Sequence, residues 1–522
     1  MTLNLLRFYF ALIGSLGLAL ASCLVFVLPY VYPLINWTLV TIGLIAIGAA
    51  GYPNAWRRPS YWVMVPLIVG LLIMPALTVT AGFGEFDLLA AVHHLSFGMV
   101  GADYGIIIRA LRPLVSVLLV YVVCVYWLSN LLQMSFKGYY FAALLIAMIN
   151  PLSINAMNMV MTPRVENDLA VRVHDPGVEM NGVAPDVLLI YLEGLDREFL
   201  DRSRFGDSYD GIAELAPQGL TFTQIKQVEG TGWSLAGIVA SHCGLPLLPN
   251  GLRNMYRWGD QEAFLGDHRC LSDVMSEVGY QTAYIMGGVI EFGGIDLFIK
   301  SHGYDTAIGR DQLAERYSEE RLELGAAVRR YDDALTLDTA KDIYQEMAPI
   351  DDPLLLTILT YGPHGKSGTV ASNCSQTGRA YETEDLTETV RCTIQNVRSF
   401  LSWWESVRRD RPALVLLVSD HLNHLWLYDS EEAQEGRSNT FFAMGYDLPH
   451  IPRGEVNDRL GSMMDVFPTI LSMAGIISDG RGGLGVSLVD EGPTLLEQRG
   501  YYRINRELNR NYDLQQVIWG SD

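Results

Sequence analysis

The sequence predicts an α/β domain with a mostly parallel central sheet, preceded by an all-α membrane section of five helices. Three observations predict it. The first 160 residues are almost without charge. Beyond residue 185, short apolar runs end in acids or glycines. Helical patterns precede several of those runs.

The 522-residue chain is 50% hydrophobic and 18% charged, a mean over two unlike sections. Of its 37 Lys/Arg and 58 Asp/Glu, six (Arg7, Arg57, Arg58, Arg109, Arg112, Lys137) and three (Glu85, Asp87, Asp103) fall in residues 1–160. That leaves 31 and 55 in the remainder, a net charge of −24. So acidic a section repels nucleic acid, and no such partner is expected.

Residues 1–160 read as an anchor with spans at roughly 8–30, 33–53, 61–82, 109–133 and 138–160, each near the ~20 apolar residues a bilayer requires. The first is not read as a cleaved signal, because further spans follow at once. Arg7, Arg57, Arg58 and Lys137 share one side if the N-terminus is cytoplasmic, and an odd number of spans then carries the rest outside. The loop 83–108, with His93 and His94, lies on that outer side. Arg109 and Arg112 at the outer end of span four either meet lipid phosphate or simply snorkel to the interface. Few ionisable residues lie in the spans, which argues against a transport pathway.

Cys23 and Cys124 fall in spans and read as apolar fillers. Cys243, Cys270, Cys374 and Cys392 fall in the outer section, where an even count suggests two disulfides. Local pairing, Cys243 with Cys270 and Cys374 with Cys392, is the expectation, against four free buried thiols.

Residues 161–184 form a polar connector. A catalytic domain is expected over 185–480, with 481–522 as an extension packed on it. The run Asp186-Val-Leu-Leu-Ile-Tyr-Leu-Glu193-Gly194 reads as a buried parallel strand that delivers a carboxylate at its C-terminal edge. Ala413-Leu-Val-Leu-Leu-Val-Ser-Asp420-His421 has the same design. Residues 281–288 and 353–360 are also strand-like, while 270–279, 335–348 and 458–475 are helical, the last with Pro468 inside.

Two carboxylates and an imidazole at one sheet edge repel, or are desolvated, unless they share a cation. Glu193, Asp420 and His421 suit one divalent ion, Mn²⁺ or Zn²⁺. Each acid taken alone also fits a turn or cap residue. Glu229-Gly-Thr231-Gly-Trp-Ser234 then opens a helix of small residues. A hydroxyl there sits where backbone N–H groups favour an anion, and a neighbouring cation makes it a nucleophile. A plain helix cap by Thr231 or Ser234 explains the same pattern.

These residues resemble the sulfatase-like branch of the alkaline phosphatase superfamily over about 185–490. Within it the chain is similar to membrane phosphoglycerol transferases of periplasmic glucans. More distantly it is similar to lipoteichoic acid synthases and lipid A phosphoethanolamine transferases. The resemblance rests on Gly230-Thr-Gly-Trp-Ser-Leu-Ala-Gly-Ile-Val-Ala-Ser-His-Cys-Gly-Leu-Pro246 and on Ser-Asp420-His421. Weaker support comes from the stretch ending at Phe222 and from Met464-Asp-Val-Phe-Pro-Thr-Ile-Leu471.

The resemblance implies metal ligation by Glu193, Asp420 and His421. It puts the nucleophile, itself a metal ligand, at Thr231, three residues before a serine, with Ser234 in reserve at the substrate. His364, in Tyr361-Gly-Pro-His-Gly365, is implied to contact the transferred phosphate; a loop histidine is the plainer reading. His424 has no family role, and His242 is expected to pack beside Cys243. The formylglycine-forming cysteine motif of sulfatases is absent, and Glu291-Phe-Gly-Gly-Ile295 stands where lipoteichoic acid synthases carry an aromatic-Trp-x-Arg stretch. The implied activity is transfer of phosphoglycerol from phosphatidylglycerol to a periplasmic glucan through a covalent threonine intermediate. The chain would be a multi-pass protein of the bacterial inner membrane with its catalytic domain in the periplasm. Phosphoethanolamine transfer to lipid A or another envelope glycan, and an inactive scaffold for glucan export, are the alternatives.

Overall fold

A computed structural model of the chain describes residues 167–180, 182–248, 263–327, 330–364, 368–424, 435–476, 479–509 and 511–520. The five spans expected in 1–160 lie outside these residues. Among the described residues no helix is long and apolar enough to cross a membrane.

The main sheet has nine strands among the described residues. In chain order its first strands are β1 (Asp186–Leu192), β2 (Leu220–Lys226), β3 (Gln281–Met286) and β4 (Thr306–Ile308). The hairpin β5 (Ala326–Ala327) and β6 (Arg330–Tyr331) stands apart, followed in the sheet by β7 (Leu354–Leu359). A second hairpin, β8 (Gly368–Val370) and β9 (Tyr381–Thr383), precedes β10 (Ala413–Ser419) and β11 (Asn439–Tyr446). The short strands β12 (Glu455–Asn457) and β13 (Gly461–Ser462) complete the sheet, and β14 (Arg481–Gly482) and β15 (Gly485–Val486) form a third hairpin. The sheet order is β12-β2-β11-β10-β1-β7-β3-β4, with β13 also on β2. Pairing is parallel except for β11, which runs antiparallel to both β10 and β2.

The strand β1 is central, and all seven of its residues are buried. Both faces are covered, which is why its sequence is a continuous apolar run. Its alternate side chains feed two cores. Val187, Leu189 and Tyr191 join the core beneath α1 (Ser234–Cys243), α2 (Leu271–Glu277) and the later helix Met463–Met473. Leu188, Ile190 and Leu192 join the core on the other face, under α3 (Asp333–Met347) and α4 (Leu386–Val407). Asp332 caps α3 by accepting from Leu335 N at 2.9 Å, and Asp385 caps α4 by accepting from Thr387 N at 3.0 Å. Such caps satisfy amide donors that the first helical turn leaves without partners.

The strands expected at 186–192, 281–288, 353–360 and 413–419 are present within a residue or two. The helix expected over 458–475 begins only at Met463, as α5 (Met463–Met473), because the segment before it pairs with β2 at two places. Pro468 sits inside α5 without ending it, and Gly485 packs on the Met464 carbonyl, whose usual helical donor would be residue 468. Both disulfides form as Cys243–Cys270 and Cys374–Cys392. Ile504, Leu508, Leu514 and Ile518 of the C-terminal segment are fully buried in the α1-side core.

Candidate metal and nucleophile site

The register of the central strands creates the site. Leu192 of β1 pairs with Ser419 of β10. The next residue on each strand is an acid, so Glu193 and Asp420 emerge side by side at the C-terminal edge, with His421 following. Gly194 turns the chain away at φ +56°, a region that favours glycine, and its N–H donates to Asp420 Oδ1 at 2.9 Å. The backbone N–H of His421 donates to the same oxygen at 2.9 Å.

Glu193, Asp420 and His421 are at most 2% exposed. One ligand atom from each lies within 4.8 Å of the others. His421 Nδ1 faces the Leu422 carbonyl at 2.8 Å, so Nδ1 carries a proton. Its Nε2 faces Glu193 Oε1 at 3.0 Å and Asp420 Oδ2 at 3.5 Å. In neutral histidine that nitrogen is an acceptor, and three acceptors then converge on one point. Asp420 Oδ2 is buried and has no hydrogen-bond partner.

Electrostatics registers the same conflict. Burial, and then the Glu193 charge, push Asp420 up to about 7. Burial opposes the charge on His421, but Asp420 and Glu193 outweigh it and raise the imidazole to about 10. Burial also pushes Glu193 up, yet the His421 hydrogen bond and the fields of His364 and His421 hold it below the usual carboxylate range. These opposed shifts mark a place suited to a cation. The orphaned Asp420 oxygen, the inward-facing Nε2 and the Glu193 carboxylate form a hard-oxygen and imidazole donor set that fits a divalent ion.

Ser234 is the first residue of α1, and its hydroxyl donates to Glu193 Oε1 and Oε2 at 3.2 and 3.1 Å. It lies 3.5 Å from His421 Nε2. The helix approaches this closely because Gly237 has no side chain; a Cβ there would overlap the Asp420 carbonyl. Thr231 is engaged differently. It is fully buried, its hydroxyl donates to the Val228 carbonyl at 2.8 Å, and it accepts from Val228 N at 3.0 Å. Its hydroxyl closes a turn rather than bonding to Glu193, Asp420 or His421. Of the four groups expected to gather, Glu193, Asp420 and His421 do, and the hydroxyl bonded to Glu193 is that of Ser234.

His364 stands at the mouth, 45% exposed, with Nε2 4.0 Å from Glu193 Oε1. Asp333, at the start of α3, fixes its loop by accepting from Tyr361 N at 2.6 Å, Gly362 N at 3.0 Å and Thr393 Oγ1 at 2.7 Å. His424 is exposed, with its ring 4.8 Å from that of His421. His242 is buried, bonded through Nδ1 to Tyr191 Oη at 2.8 Å and through Nε2 to Tyr304 Oη at 2.7 Å.

A supporting network escaped sequence reasoning. Asp196 is fully buried, pairs with Arg437, and accepts from Asn423 N and Glu198 N at 2.8 Å each. Arg437 also donates to the Asn423 carbonyl at 2.7 Å. Asn423 Nδ2 donates to the Pro363 carbonyl at 2.9 Å, tying the end of β10 to the His364 loop. The one local signal was the spacing Glu193-Gly-Leu-Asp196, two acids just past a strand.

Comparison with known proteins identifies the family. The family described as Sulfatase matches residues 185–476. Phosphoglycerol transferase I of Escherichia coli (strain UTI89 / UPEC) is 27% identical over 325 residues, covering 61% of this chain and 41% of that protein. Phosphoglycerol transferase I of Shigella boydii serotype 18 gives the same figures. The chain thus spans about two fifths of the length of these relatives. Among solved structures, the lipoteichoic acid synthase LtaP of Listeria monocytogenes is 15% identical with a TM-score of 0.44, covering 60% of this chain and 79% of that one. The lipooligosaccharide phosphoethanolamine transferase A of Neisseria meningitidis is 14% identical with a TM-score of 0.44, covering 91% and 95%. With the family matched over more than half its length, on a mostly parallel sheet whose edge carries acids and histidine, the chain belongs to the sulfatase family.

Proposed function

We propose that the chain transfers phosphoglycerol from phosphatidylglycerol to a hydroxyl of a periplasmic glucan, with Ser234 as the nucleophile. The observation that carries this reading is the Ser234 hydroxyl against the Glu193 carboxylate and the His421 ring. The names of the relatives support the headgroup and the transfer chemistry. Residues 1–160 are assigned as a five-span anchor and 161–184 as its connector. Residues 185–480 are the periplasmic catalytic domain, and 481–522 its extension. Anchoring confines the site near lipid headgroups, which raises the local donor concentration.

Glu193, Asp420 and His421 would hold one divalent ion, Mn²⁺ or Zn²⁺, which supplies positive charge that lowers the hydroxyl pKa and offsets charge on phosphate oxygens. Ser234 Oγ attacks the lipid phosphorus, its proton passing first toward Glu193. The bond from phosphorus to the diacylglycerol oxygen breaks, and diacylglycerol leaves carrying the proton that Glu193 took up. A glycerophospho-serine remains. A glucan hydroxyl then attacks the same phosphorus, the Ser234–phosphorus bond breaks, and the proton the glucan loses is returned to Ser234 Oγ by way of Glu193. His364, at the mouth, donates to a phosphate oxygen through both steps. Asp333 and the Asp196–Arg437 pair hold the loops that carry His364 and His421.

Membranes containing the protein, supplied with headgroup-labelled phosphatidylglycerol or phosphatidylethanolamine and a neutral glucan, test this reading by mass spectrometry of the glucan. Labelled phosphoglycerol on the glucan is the expected product. Labelled phosphoethanolamine alone would replace the donor, and no labelled product from either lipid would remove the transfer reaction.

A further inference from the structure

The catalytic domain is strongly acidic, so a cation there usually finds a carboxylate. Two arginines near the mouth do not. Among the described residues, no carboxylate lies within ion-pair distance of Arg310 or Arg330, and the Nε–H of each is buried without a hydrogen-bond partner. Arg330 makes one side-chain hydrogen bond, from Nη2 to Thr369 Oγ1 at 3.1 Å. The nearby Asp332 and Asp333 are engaged elsewhere. Asp332 accepts from Leu335 N and Ser372 N, and Asp333 from Tyr361 N, Gly362 N and Thr393.

The backbone at Arg310 and beside Arg330 is tied to the turn after β3. Arg310 N donates to the Gly288 carbonyl at 2.7 Å, and Tyr331 N donates to the Gly287 carbonyl at 2.8 Å. The Arg310 guanidinium lies over the Tyr331 ring at 5.7 Å, and that of Arg330 over the Tyr361 ring at 5.5 Å. Gly288 leaves room for the Tyr361 ring, since a Cβ there would press on its hydroxyl at 2.8 Å. Tyr361 and His364 are 6.1 Å apart, ring to ring, and His364 is 4.0 Å from Glu193. A continuous path thus runs from the metal-ligand cluster through His364 and Tyr361 to two uncompensated positive charges. Whatever extends from a phosphate at His364 along this rim meets that field.

We propose that Arg330 and Arg310 form a headgroup-discriminating subsite that takes an oxygen-rich, non-cationic group and rejects an ammonium. This rests on the headgroup-transfer reading and deepens it. Arginine N–H groups donate to hydroxyl or phosphate oxygens, and like charge disfavours a primary ammonium at the same place. Glycerol satisfies the subsite; ethanolamine does not.

The test is calorimetric titration of the metal-replete full chain with glycerol phosphate and with phosphoethanolamine, which share a phosphate and differ in the group beyond it. Glycerol phosphate is expected to bind about tenfold more tightly to the wild type. The double variant Arg330→Gln/Arg310→Gln should bring the two affinities within about twofold. Arg330→Lys, which keeps the charge, should retain most of the preference, an outcome that a merely structural role would not produce. Should the double variant fail to fold, each single glutamine variant should narrow the gap by about threefold. Equal affinities in the wild type, no binding of either phosphate, or an unchanged ratio in the folded variants overturns the subsite. Turnover of labelled lipids separates the two ideas. A ratio that responds to the arginines without any lipid transfer leaves the subsite standing and removes the transfer reaction. Phosphatidylglycerol transfer with a ratio indifferent to the arginines does the reverse.

Discussion

A hydroxyl becomes a nucleophile when its proton has an acceptor and its lone pair can reach phosphorus. Ser234 faces Glu193 and His421, whereas the Thr231 hydrogen is engaged by the Val228 carbonyl. Ser234→Ala should therefore lower transfer by about a thousandfold or more while metal content is unchanged. Thr231→Val, which loses two hydrogen bonds but keeps the shape, should retain activity within about tenfold and lose ~1–3 kcal/mol of stability. Assay of both variants beside an urea melt checks this, and the opposite ranking returns the nucleophile to Thr231. At this scale the sequence was informative where chemistry is local. An acid directly after a buried strand is visible in one stretch of chain. Which of two hydroxyls three residues apart turns toward that acid depends on the turn at Gly230, where φ is +78°, and spacing alone does not reveal it. Asp196 and Arg437 were illegible for a different reason: their partnership spans 241 residues.

Close approach decides matters at the scale of elements. The helix α1 rests on the end of β10 at Gly237, and adding even a methyl group forces backbone apart. Gly237→Ala should cost ~1–3 kcal/mol by overpacking. It should also reduce activity more than stability accounts for, because Ser234 lies one turn away on the same helix. Thermal melts and initial rates on the same preparation separate the two losses. The helix α5 offers a pH test. Asp465 accepts from Ser462 N at 2.7 Å and Val486 N at 2.8 Å, yet burial raises it from 3.8 to about 6. A carboxyl raised on folding contributes stability below its unfolded value and loses that contribution as pH rises through its folded value. Wild type should thus lose stability relative to Asp465→Asn between pH 3.8 and about 6, and not above. Urea midpoints of both proteins across that range provide the measurement; parallel curves count against it. The strands β1 and β10 were legible because interior parallel strands are apolar throughout. The edgeward strands β2 and β11 were not: β2 is half-exposed along part of its length, and β11 carries Gly445 and begins at Asn439.

For the molecule as a whole, the converging acceptors at the sheet edge would make a bound divalent ion part of the fold. Removing it should leave Asp420 and His421 to take up protons, with lower stability and no transfer. Exhaustive chelation should lower the melting temperature, and added Mn²⁺ or Zn²⁺ should restore both properties. Asp420→Asn should lower bound metal from about one ion per chain toward none. An apoprotein that melts with the holoprotein would show that the cluster holds no ion of structural weight. The overall layout, a mostly parallel sheet with acids and a histidine gathered at its carboxyl edge, could be read from recurring apolar runs. The order of strands could not, since it joins segments hundreds of residues apart.

That order has a temporal consequence. Leu192 meets Ser419 across a sequence separation of 227, so Glu193 stands alone while most of the domain is still being made. A growing chain that stops short of Ser419 has a serine and one carboxylate but no partner strand to complete the cluster. Whatever chemistry the cluster supports therefore arrives late, only once the second strand has joined the first.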